Sequence, residues 1–420
     1  MRQKKIMLLG GIHYLLPAIE AAHKQGYYVI TADYLPHNVA HKYSDEYINV
    51  SIIDKEAVLQ AARDKHIDGI LSFAVDPGVT TAAYVQEQMG LPSMGPYESV
   101  RILQNKAQFR NFLRDNGFNV PWSESYSDIK QAMLHTHQLP FPVIVKPTDS
   151  AGSKGVTKVE NLNDYLPALQ CAFEQSFSHQ VIVEQFIDAY GCSSDSDCLS
   201  VDGKLKVVTF SSQYFDLSAA NPFTPAAFSW PSTFSIQQQQ YLSAELQRLI
   251  SLLGMKTTLY NVESRIGKDG KPYLMEVSPR AGGNRLAEMI RYATGVDIIT
   301  AAIRAAVGDR IEDLDKIEYK KNIAYIVLHA PKQGYFSGID INEDFYNKHQ
   351  LEPLDIWVQK GEKVDAFTGS NNTIGTLPLQ FNSNSEIIHF LNDMNNLIKI
   401  NVDVNPIIDV STIAPPYVSY

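Results

Sequence analysis

Two glutamates stand at equal distances from a turn signal in the second half of the chain. The segment Leu259–Gly283 has the sequence LYNVESRIGKDGKPYLMEVSPRAGG, in which two strand-like runs flank Asp269-Gly270. Asp-Gly between such runs favours a hairpin with a two-residue type I′ turn. Glu263 precedes Asp269 by six residues and Glu276 follows Gly270 by six. The hairpin is therefore predicted to place the two carboxylates directly opposite each other.

Two opposed carboxylates need a positive partner, because like charges directly opposite each other destabilise a sheet. Magnesium fits, since it binds through one or two carboxylates together with substrate phosphates. Arg280 follows just beyond the second strand, and Ser278 could add an oxygen ligand. The two-residue period adds four residues to the same face: Asn261, Arg265, Leu274 and Ser278. A surface hairpin with two solvated acids is the alternative, and a longer turn would shift the register.

A second candidate site follows the β-branched strand Val143–Val145. Lys146 and Pro147 end this strand, and the loop after it contains the small residues Ser150, Gly152, Ser153 and Gly155. Small residues let backbone N–H groups approach phosphate oxygens, and the lysine adds a positive charge. The loop lacks the Walker A pattern, and by itself it fits equally well a hairpin turn with a solvated lysine.

A third, weaker signal is the strand Gln180–Ile187, which ends in Glu-Gln-Phe-Ile. Its end could offer backbone groups and an apolar wall to a flat purine. Most buried strands have this appearance, so the segment gains meaning only beside the other two signals.

The elements that position these residues begin with alternating strands and helices. Predicted strands at Lys5–Leu9, Tyr27–Thr31 and Gly69–Phe73 alternate with helical segments, which indicates βαβ units and a parallel sheet. Ligands of such sheets bind beyond the carboxyl ends of the strands. Gly10-Gly11 lacks the third glycine of the dinucleotide fingerprint, which disfavours a nicotinamide-dependent oxidoreductase.

Further along, the pattern changes from βαβ units to mixed elements. A helix is predicted at Asn105–Asn116 with Lys106 in its first turn, and a hairpin turn at Asp202-Gly203. The Pro- and aromatic-rich segment Ala219–Phe234 is predicted to be a long loop. From Asn322 onward the chain is predicted to form a smaller α+β domain with one helix, Ser385–Ile398.

Composition excludes several classes of function. The 420 residues carry 36 Lys and Arg against 46 Asp and Glu, a net charge of -10, which is a poor match for duplex nucleic acid. Cys171, Cys192 and Cys198 form no CxxC pair, so neither a disulfide framework nor a cysteine zinc site is expected. No run reaches the ~18 apolar residues of a membrane helix, and the start does not resemble a signal peptide. We expect a cytoplasmic, multidomain protein without a membrane or nucleic-acid partner.

Four features follow one another along the chain: Lys106, Lys146 with its Ser/Gly loop, VEQFI, and the pair Glu263 and Glu276 running into Ser-Pro-Arg. In this order they resemble the ATP-grasp superfamily of carboxylate–amine ligases. The resemblance covers essentially the whole chain and implies an α/β and α+β architecture with an ATP-grasp fold. It implies a βαβ pre-ATP-grasp domain at 1–104, an ATP-grasp domain at 105–315 and a small C-terminal α+β domain at 316–420. The ATP-grasp domain would divide into 105–190 and 191–315. Within the superfamily, the chain looks most like amino-acid (dipeptide) ligases, carbamoyl-phosphate-synthase-like ligases, and purine-pathway carboxylases and formyltransferases.

The resemblance also implies roles for individual residues. Those implied to bind ATP are Lys106, Lys146, Ser150, Gly152, Ser153, Gly155, Glu184, Gln185, Phe186 and Ile187. Glu263, Glu276 and Ser278 would hold Mg²⁺, and Arg280 and Lys146 would act on the transferred phosphate. Relatives commonly have Asn where Ser278 stands. They also often carry an acid shortly after the hinge glycine, where this chain has Cys192-Ser193-Ser194.

The implied reaction is ATP-dependent amide formation between a small-molecule carboxylate and an amine, with an acyl phosphate as intermediate. It requires no protein nucleophile. One alternative is a ligase for a phosphorylated purine precursor, which would need a basic pocket in the first domain. His13 and Tyr14 follow Gly11 there, without Arg or Lys. Another is a nucleotide-binding module without turnover. A homodimer is suggested by the resemblance alone.

Overall fold

The computed structural model describes residues 2–149, 152–311, 314 and 316–405. Ser150, one of the predicted phosphate-binding residues, lies outside the described residues. The chain divides into two compact units: unit 1 comprises Met1–Gln213 and Ser229–Ile323, and unit 2 comprises Tyr214–Phe228 and Ala324–Tyr420. The division into three domains at 1–104, 105–315 and 316–420 remains a prediction. No helix in the described part of the chain has the length and apolar character needed to cross a bilayer.

Unit 1 begins with a parallel sheet of order β3-β2-β1-β4. Its strands are β1 (Lys5–Leu9), β2 (Tyr28–Asp33), β3 (Glu46–Asn49) and β4 (Gly69–Leu71), and its helices are α1 (Leu16–Lys24), α2 (Lys55–Lys65), α3 (Val79–Met89) and α4 (Tyr97–Gln104). β1 and β2 are buried along almost their whole length, as is typical of parallel strands that are covered on both faces. The predicted βαβ architecture is confirmed.

A four-stranded antiparallel sheet of order β5-β8-β6-β7 follows. The elements are α5 (Lys106–Asp115), β5 (Ser123–Tyr126), α6 (Ile129–Leu134), β6 (Val143–Pro147), β7 (Thr157–Val159), α7 (Tyr165–Glu174) and β8 (Val181–Gln185). Tyr126, Val181 and Val183 pack with α6 and α7 in one apolar cluster. Glu184 alternates with Val183 and therefore projects to the opposite face, where Arg110 of α5 contacts it.

The second antiparallel sheet of unit 1 has the order β10-β9-β13-β14. The chain continues through β9 (Ser194–Val201), β10 (Lys204–Val208), β11 (Ser212–Phe215), β12 (Pro225–Trp230), α8 (Ile236–Leu252), β13 (Thr258–Ile266), β14 (Pro272–Ser278), α9 (Leu286–Thr294) and α10 (Ile298–Ala306). The predicted turn between β9 and β10 is confirmed. Asp202 and Gly203 have φ of 50° and 75°, as a type I′ turn requires.

The prediction of a long loop at Ala219–Phe234 is wrong, because the segment contains strand β12. Its residues after Pro225 are buried on both faces, so the strand lacks the alternation of apolar and polar residues that marks a half-exposed strand. Pro225 is the first residue of the strand, and Pro222 and Pro231 lie outside it, so no proline interrupts the strand.

Unit 2 combines a five-stranded sheet, β11-β12-β15-β19-β17, with a three-stranded sheet, β18-β16-β20. Its later elements are β15 (Asn322–His329), β16 (Gly334–Ile341), α11 (Glu343–His349), β17 (Asp355–Ile356), β18 (Lys363–Val364), β19 (Thr373–Phe381), α12 (Asn384–Leu397) and β20 (Ile398–Asp403). The α+β class is confirmed, but the prediction of a single helix missed α11. That helix has only seven residues and little apolar periodicity.

Candidate active site

Three carboxylates form one row across adjacent strands of the second antiparallel sheet. Glu263 of β13 pairs directly with Glu276 of β14 on one side and with Asp195 of β9 on the other. The predicted opposition of the two glutamates is therefore confirmed, and Asp195 joins them. In the next row, Asn261 lies between Asp197 and Ser278. We refer to Asp195, Glu263 and Glu276 as the carboxylate row.

The loop and the strand register that produce this pairing differ from the predicted ones. Five residues, Gly267–Lys271, separate the paired positions Ile266 and Pro272, so the two-residue turn is wrong. A β-bulge between Glu263 and Ser264 leaves Met275 without a partner in the ladder and restores the glutamate pair. Beyond the bulge the faces exchange, and Leu274 packs in the apolar core rather than on the face of the glutamates.

Lys106 places a positive charge beside the carboxylate row. Its Nζ lies 3.3 Å from Oε2 of Glu276. Burial lowers the pKa of Lys106, but the carboxylates of Glu276, Asp76 and Glu263 outweigh it and raise the pKa above its ordinary value. Asn105 caps α5 by accepting a hydrogen bond from the backbone N–H of Gln108 (3.0 Å), which fixes Lys106 at the first position of the helix.

The electrostatics of the row fit a divalent cation. Burial and the neighbouring Glu276 raise the pKa of Glu263, and burial together with Glu263 and Asp197 raises that of Asp195. A cation between the glutamates would remove this penalty. Within the described ranges, no cluster of three or more His, Cys, Asp or Glu could hold a metal ion by itself. Mg²⁺ binds through one or two carboxylates together with phosphate oxygens, and the facing carboxylates of Glu263 and Glu276 suit this mode of binding.

Arg280 and Ser278 are both tied to Asp76. Nε and Nη2 of Arg280 donate to the two oxygens of Asp76 at 2.9 and 2.8 Å. Burial opposes the charge on Asp76, but Arg280 and Lys106 hold its pKa below the ordinary value. The hydroxyl of Ser278 donates to Asp76 (3.0 Å) and accepts from Nε2 of Gln104 (2.6 Å). Ser278 thus has two protein partners, and its role as a metal ligand stays a prediction.

Lys146 belongs to a buried ion-pair triad with Glu184 and Arg110. Nζ of Lys146 contacts Oε1 of Glu184, and Nε of Arg110 donates to Oε2 at 2.9 Å. Burial raises the pKa of Glu184, but Arg110 and Lys146 outweigh it and lower the pKa to about 2. The pKa of Lys146 is lowered, mainly by burial. Glu184 therefore orients Lys146 and Arg110, while its predicted role towards adenine stays untested.

The small-residue loop begins where β6 ends, just beyond Lys146. Gly152, Ser153 and Gly155 have φ of 70°, 61° and 68°. A Cβ on Gly155 would lie 3.0 Å from Cβ of Gln175, so glycine is favoured there by both its conformation and its packing. Asp149 anchors the start of the loop by accepting a hydrogen bond from the backbone N–H of Ser178 at 2.6 Å.

The segment Gln185–Ile187 joins the two antiparallel sheets of unit 1. Gln185 is exposed, whereas Ile187 is buried and its carbonyl accepts a hydrogen bond from Nη1 of Arg265 at 2.8 Å. The ring of Phe186 lies 4.3 Å from Nζ of Lys158 and 5.7 Å from the guanidinium carbon of Arg265. Arg265 thus fixes this segment, and ATP binding by its three residues remains a prediction.

Asp195, Asp197 and Asn261 were not among the predicted ligands. The amide of Asn261 donates to Oδ1 of Asp195 (2.5 Å) and of Asp197 (3.2 Å). Oδ1 of Asp197 also accepts the backbone N–H of Gly282 (2.8 Å), which holds the loop after Arg280. The signal in the sequence was the Ser-Asp-Ser-Asp alternation of β9, which places both acids on one face.

Asp197→Asn is expected to flatten the pH dependence of stability. Burial raises the pKa of Asp197 from 3.8 to about 7. The unfolded chain therefore loses this proton first, and the stability contributed by Asp197 declines as the pH rises from about 4 to about 7. The free energy of unfolding, measured by urea denaturation at about pH 5 and about pH 8, should fall less in the variant than in the parent. Equal declines in both proteins would contradict the assignment.

Comparison with known proteins places this geometry in context. Residues 103–284 match the model of the ATP-grasp domain. The chain is 31% identical over 242 residues to a D-alanine--D-alanine ligase of Parabacteroides distasonis, covering 52% of this chain and 67% of that protein. It is 23% identical over 330 residues to the carbamoyl phosphate synthase large chain of Pseudothermotoga lettingae, covering 74% of this chain and 29% of that protein. The chain thus spans less than a third of that relative's length.

The likeness also extends over the fold as a whole. The crystal structure of L-amino acid ligase from Bacillus licheniformis superimposes with a TM-score of 0.82 at 20% sequence identity, covering 96% of this chain and 100% of that one. At this sequence identity the structural similarity establishes the fold, whereas an activity has to be inferred from the residues of the site.

Proposed function

The chain belongs to the ATP-grasp family, and from this premise we propose that it is an ATP- and Mg²⁺-dependent ligase that joins a carboxylate to an amine and forms ADP. The observation that carries the proposal is the direct pairing of Glu263 with Glu276 beside the ammonium group of Lys106. Two half-buried carboxylates that face each other on adjacent strands are costly without a cation, and the chain places Lys106 next to them. A merely structural hairpin would have no need of this arrangement.

In this proposal Glu263 and Glu276 hold Mg²⁺, and Lys106, Lys146 and the Gly152–Gly155 loop bind the phosphates of ATP. The bound ion would supply positive charge to the phosphate oxygens. Arg280 is held in place by its paired hydrogen bonds with Asp76 and would face the phosphate during transfer. Catalysis would rest mainly on positioning and charge stabilisation.

The proposed reaction has two steps. A carboxylate oxygen of the first substrate attacks the γ-phosphorus of ATP, the bond to the β–γ bridging oxygen breaks, and ADP leaves. The resulting acyl phosphate is then attacked at its carbonyl carbon by the amine. The bond between the carbonyl carbon and the phosphate oxygen breaks, the nitrogen loses a proton, and the amide and phosphate are released. No protein nucleophile takes part.

For the substrates we propose amino acids rather than phosphorylated purine precursors. The purine-precursor alternative would need a basic pocket in the first domain. His13 and Tyr14 follow Gly11 there, without Arg or Lys, which disfavours a bound phosphate at that loop. The whole-chain likeness to an L-amino acid ligase supports the same choice.

The proposal is tested by measuring phosphate release from Mg·ATP with the twenty amino acids, singly and in pairs. We expect release that requires one or two specific amino acids, with a dipeptide or amino-acid amide found by mass spectrometry. Release that requires a phosphorylated ribosylamine would overturn the choice of substrate. ATP binding without release under every condition would favour a nucleotide-binding module. A homodimer remains a prediction, which sedimentation velocity would test.

A further inference from the structure

A cavity of about 460 Å³ lies along β5, outside the candidate active site. Asn111 and Arg114 of α5 line it from one side, and Gln131 of α6 and His135, which directly follows α6, line it from the other. α5 and α6 pack on opposite faces of the sheet, so their side chains extend past its edge and form two walls. The edge of β5 forms the floor. The volume lies within the range of ~300–1,000 Å³ that is usual for small-molecule sites.

The floor of this groove is a free sheet edge. β5 is the terminal strand of its sheet, and β8 is its only strand partner in the described part of the chain. The carbonyl of Trp122 accepts from the N–H of Gln185 (2.8 Å), which makes this a hydrogen-bonded pair of the antiparallel ladder. Because such pairs alternate, Ser123 and Ser125 direct their N–H and C=O groups away from β8. The carbonyl of Ser123 indeed accepts from Nη2 of Arg114 at 3.1 Å.

The groove also carries opposite charges. Arg114 is exposed, and its Nη1 and Nη2 are oriented by Asn111 (2.9 Å) and by the hydroxyl of Ser123 (2.8 Å). Glu124 accepts from the hydroxyl of Tyr126 (2.7 Å), and its carboxylate lies 3.6 Å from Nδ1 of His135. A guanidinium group suits a carboxylate, and the half-exposed carboxylate of Glu124 suits an ammonium group. Ser123 and Ser125 are two residues apart, about 7 Å at the usual strand rise, which is the length of a dipeptide.

We propose that this groove binds a short extended peptide, of dipeptide size, which adds to the edge of β5. The main chain of the peptide pairs with Ser125, its carboxylate with Arg114 and its amino group with Glu124. The groove is distinct from the carboxylate row, because Lys106 and Arg114 stand about 12 Å apart along α5. A dipeptide is also the class of product expected of the enzyme, and this correspondence alone rests on the proposed function.

The test is calorimetric titration of the full-length protein with L-alanyl-L-alanine in the absence of ATP. Ser125→Pro removes the outward N–H at a position where an edge strand tolerates proline, and Ser125→Ala removes only the hydroxyl. We expect Ser125→Pro to weaken binding by about three- to tenfold and Ser125→Ala to leave it unchanged. Arg114→Gln, or amidation of the peptide's carboxyl group, should weaken binding by about tenfold or more. Hydrogen exchange should show protection of 123–126 when the peptide is bound.

The outcomes separate this proposal from the ligase proposal. Binding that is unchanged in both Ser125→Pro and Arg114→Gln would place the peptide elsewhere and overturn the proposal, as would no binding at all. Should Ser125→Pro fail to fold, Arg114→Gln and the amidated peptide give the same decision. Because no ATP is present, a protein without ligase activity can still bind the peptide. A working ligase can equally fail to bind it here.

Discussion

Glu276→Gln is expected to lower ATP turnover by about a thousandfold or more while the fold stays intact. The substitution preserves the shape of the side chain but removes one of two charges that face each other across β13 and β14. It relieves repulsion with Glu263 and weakens the contact with Lys106 at 3.3 Å. Because these two effects oppose each other, the free energy of unfolding should change by less than about 1 kcal/mol. Steady-state phosphate release and urea denaturation measure the two quantities.

The matched control for this variant is Glu245→Gln. Glu245 also pairs with a cation, accepting from Nε and Nη2 of Arg248 at 3.0 and 2.7 Å, but it stands on α8, away from the carboxylate row. The ATP turnover of Glu245→Gln should stay within about twofold of that of the parent, because such an ion pair contributes little to stability. A folded Glu276→Gln protein with normal turnover would refute the role of the glutamate pair in holding the metal and phosphates.

Glu184→Gln should destabilise the protein by about 3–5 kcal/mol near neutral pH, because it leaves two buried cations without their shared anion. Arg110 and Glu184 are each 2% exposed and Lys146 is 13% exposed, so solvent cannot replace the lost carboxylate. The pKa of Glu184 is lowered from 4.5 to about 2. Its stabilisation is therefore complete above pH 4.5 and is lost as the pH falls towards 2. The difference between variant and parent should accordingly shrink in acid.

Urea denaturation at about pH 7 and about pH 3 measures this effect. Glu160→Gln is the control, since Glu160 forms an exposed pair with Lys158 at 2.6 Å and is 61% exposed. Its loss should change stability by less than about 0.5 kcal/mol. A Glu184→Gln protein as stable as this control would show that the triad contributes nothing to the fold.

The glutamate pair illustrates how sequence reasoning succeeded and where its basis was incomplete. The opposition of Glu263 and Glu276 was predicted from an assumed two-residue turn, whereas the loop Gly267–Lys271 is longer and the bulge at Met275 compensates for it. Neither the longer loop nor the bulge can be predicted from the residue pattern, because Asp-Gly also fits a longer loop. The prediction that Leu274 shares the face of the glutamates was wrong for the same reason, since Leu274 lies beyond the bulge.

Contacts between distant parts of the chain could not be predicted from the sequence. Asp76 and Arg280 are 204 positions apart, yet they form paired hydrogen bonds beside the site. Asp195 joins the carboxylate row only because β9 pairs with β13. The βαβ units, by contrast, followed from local segments such as the apolar run of β1 and the amphipathic helix α2, and the ATP-grasp fold followed from the resemblance. Local patterns predicted the elements, whereas sheet order decided which charges meet.

The central claim, amide formation through an acyl phosphate, is tested most directly by isotope transfer. The carboxylate substrate identified by phosphate release would be labelled with ¹⁸O and converted with Mg·ATP and the amine. We expect one ¹⁸O atom in each phosphate released, because the attacking carboxylate oxygen stays on phosphorus when the carbon–oxygen bond breaks. Amide formation with unlabelled phosphate would contradict it.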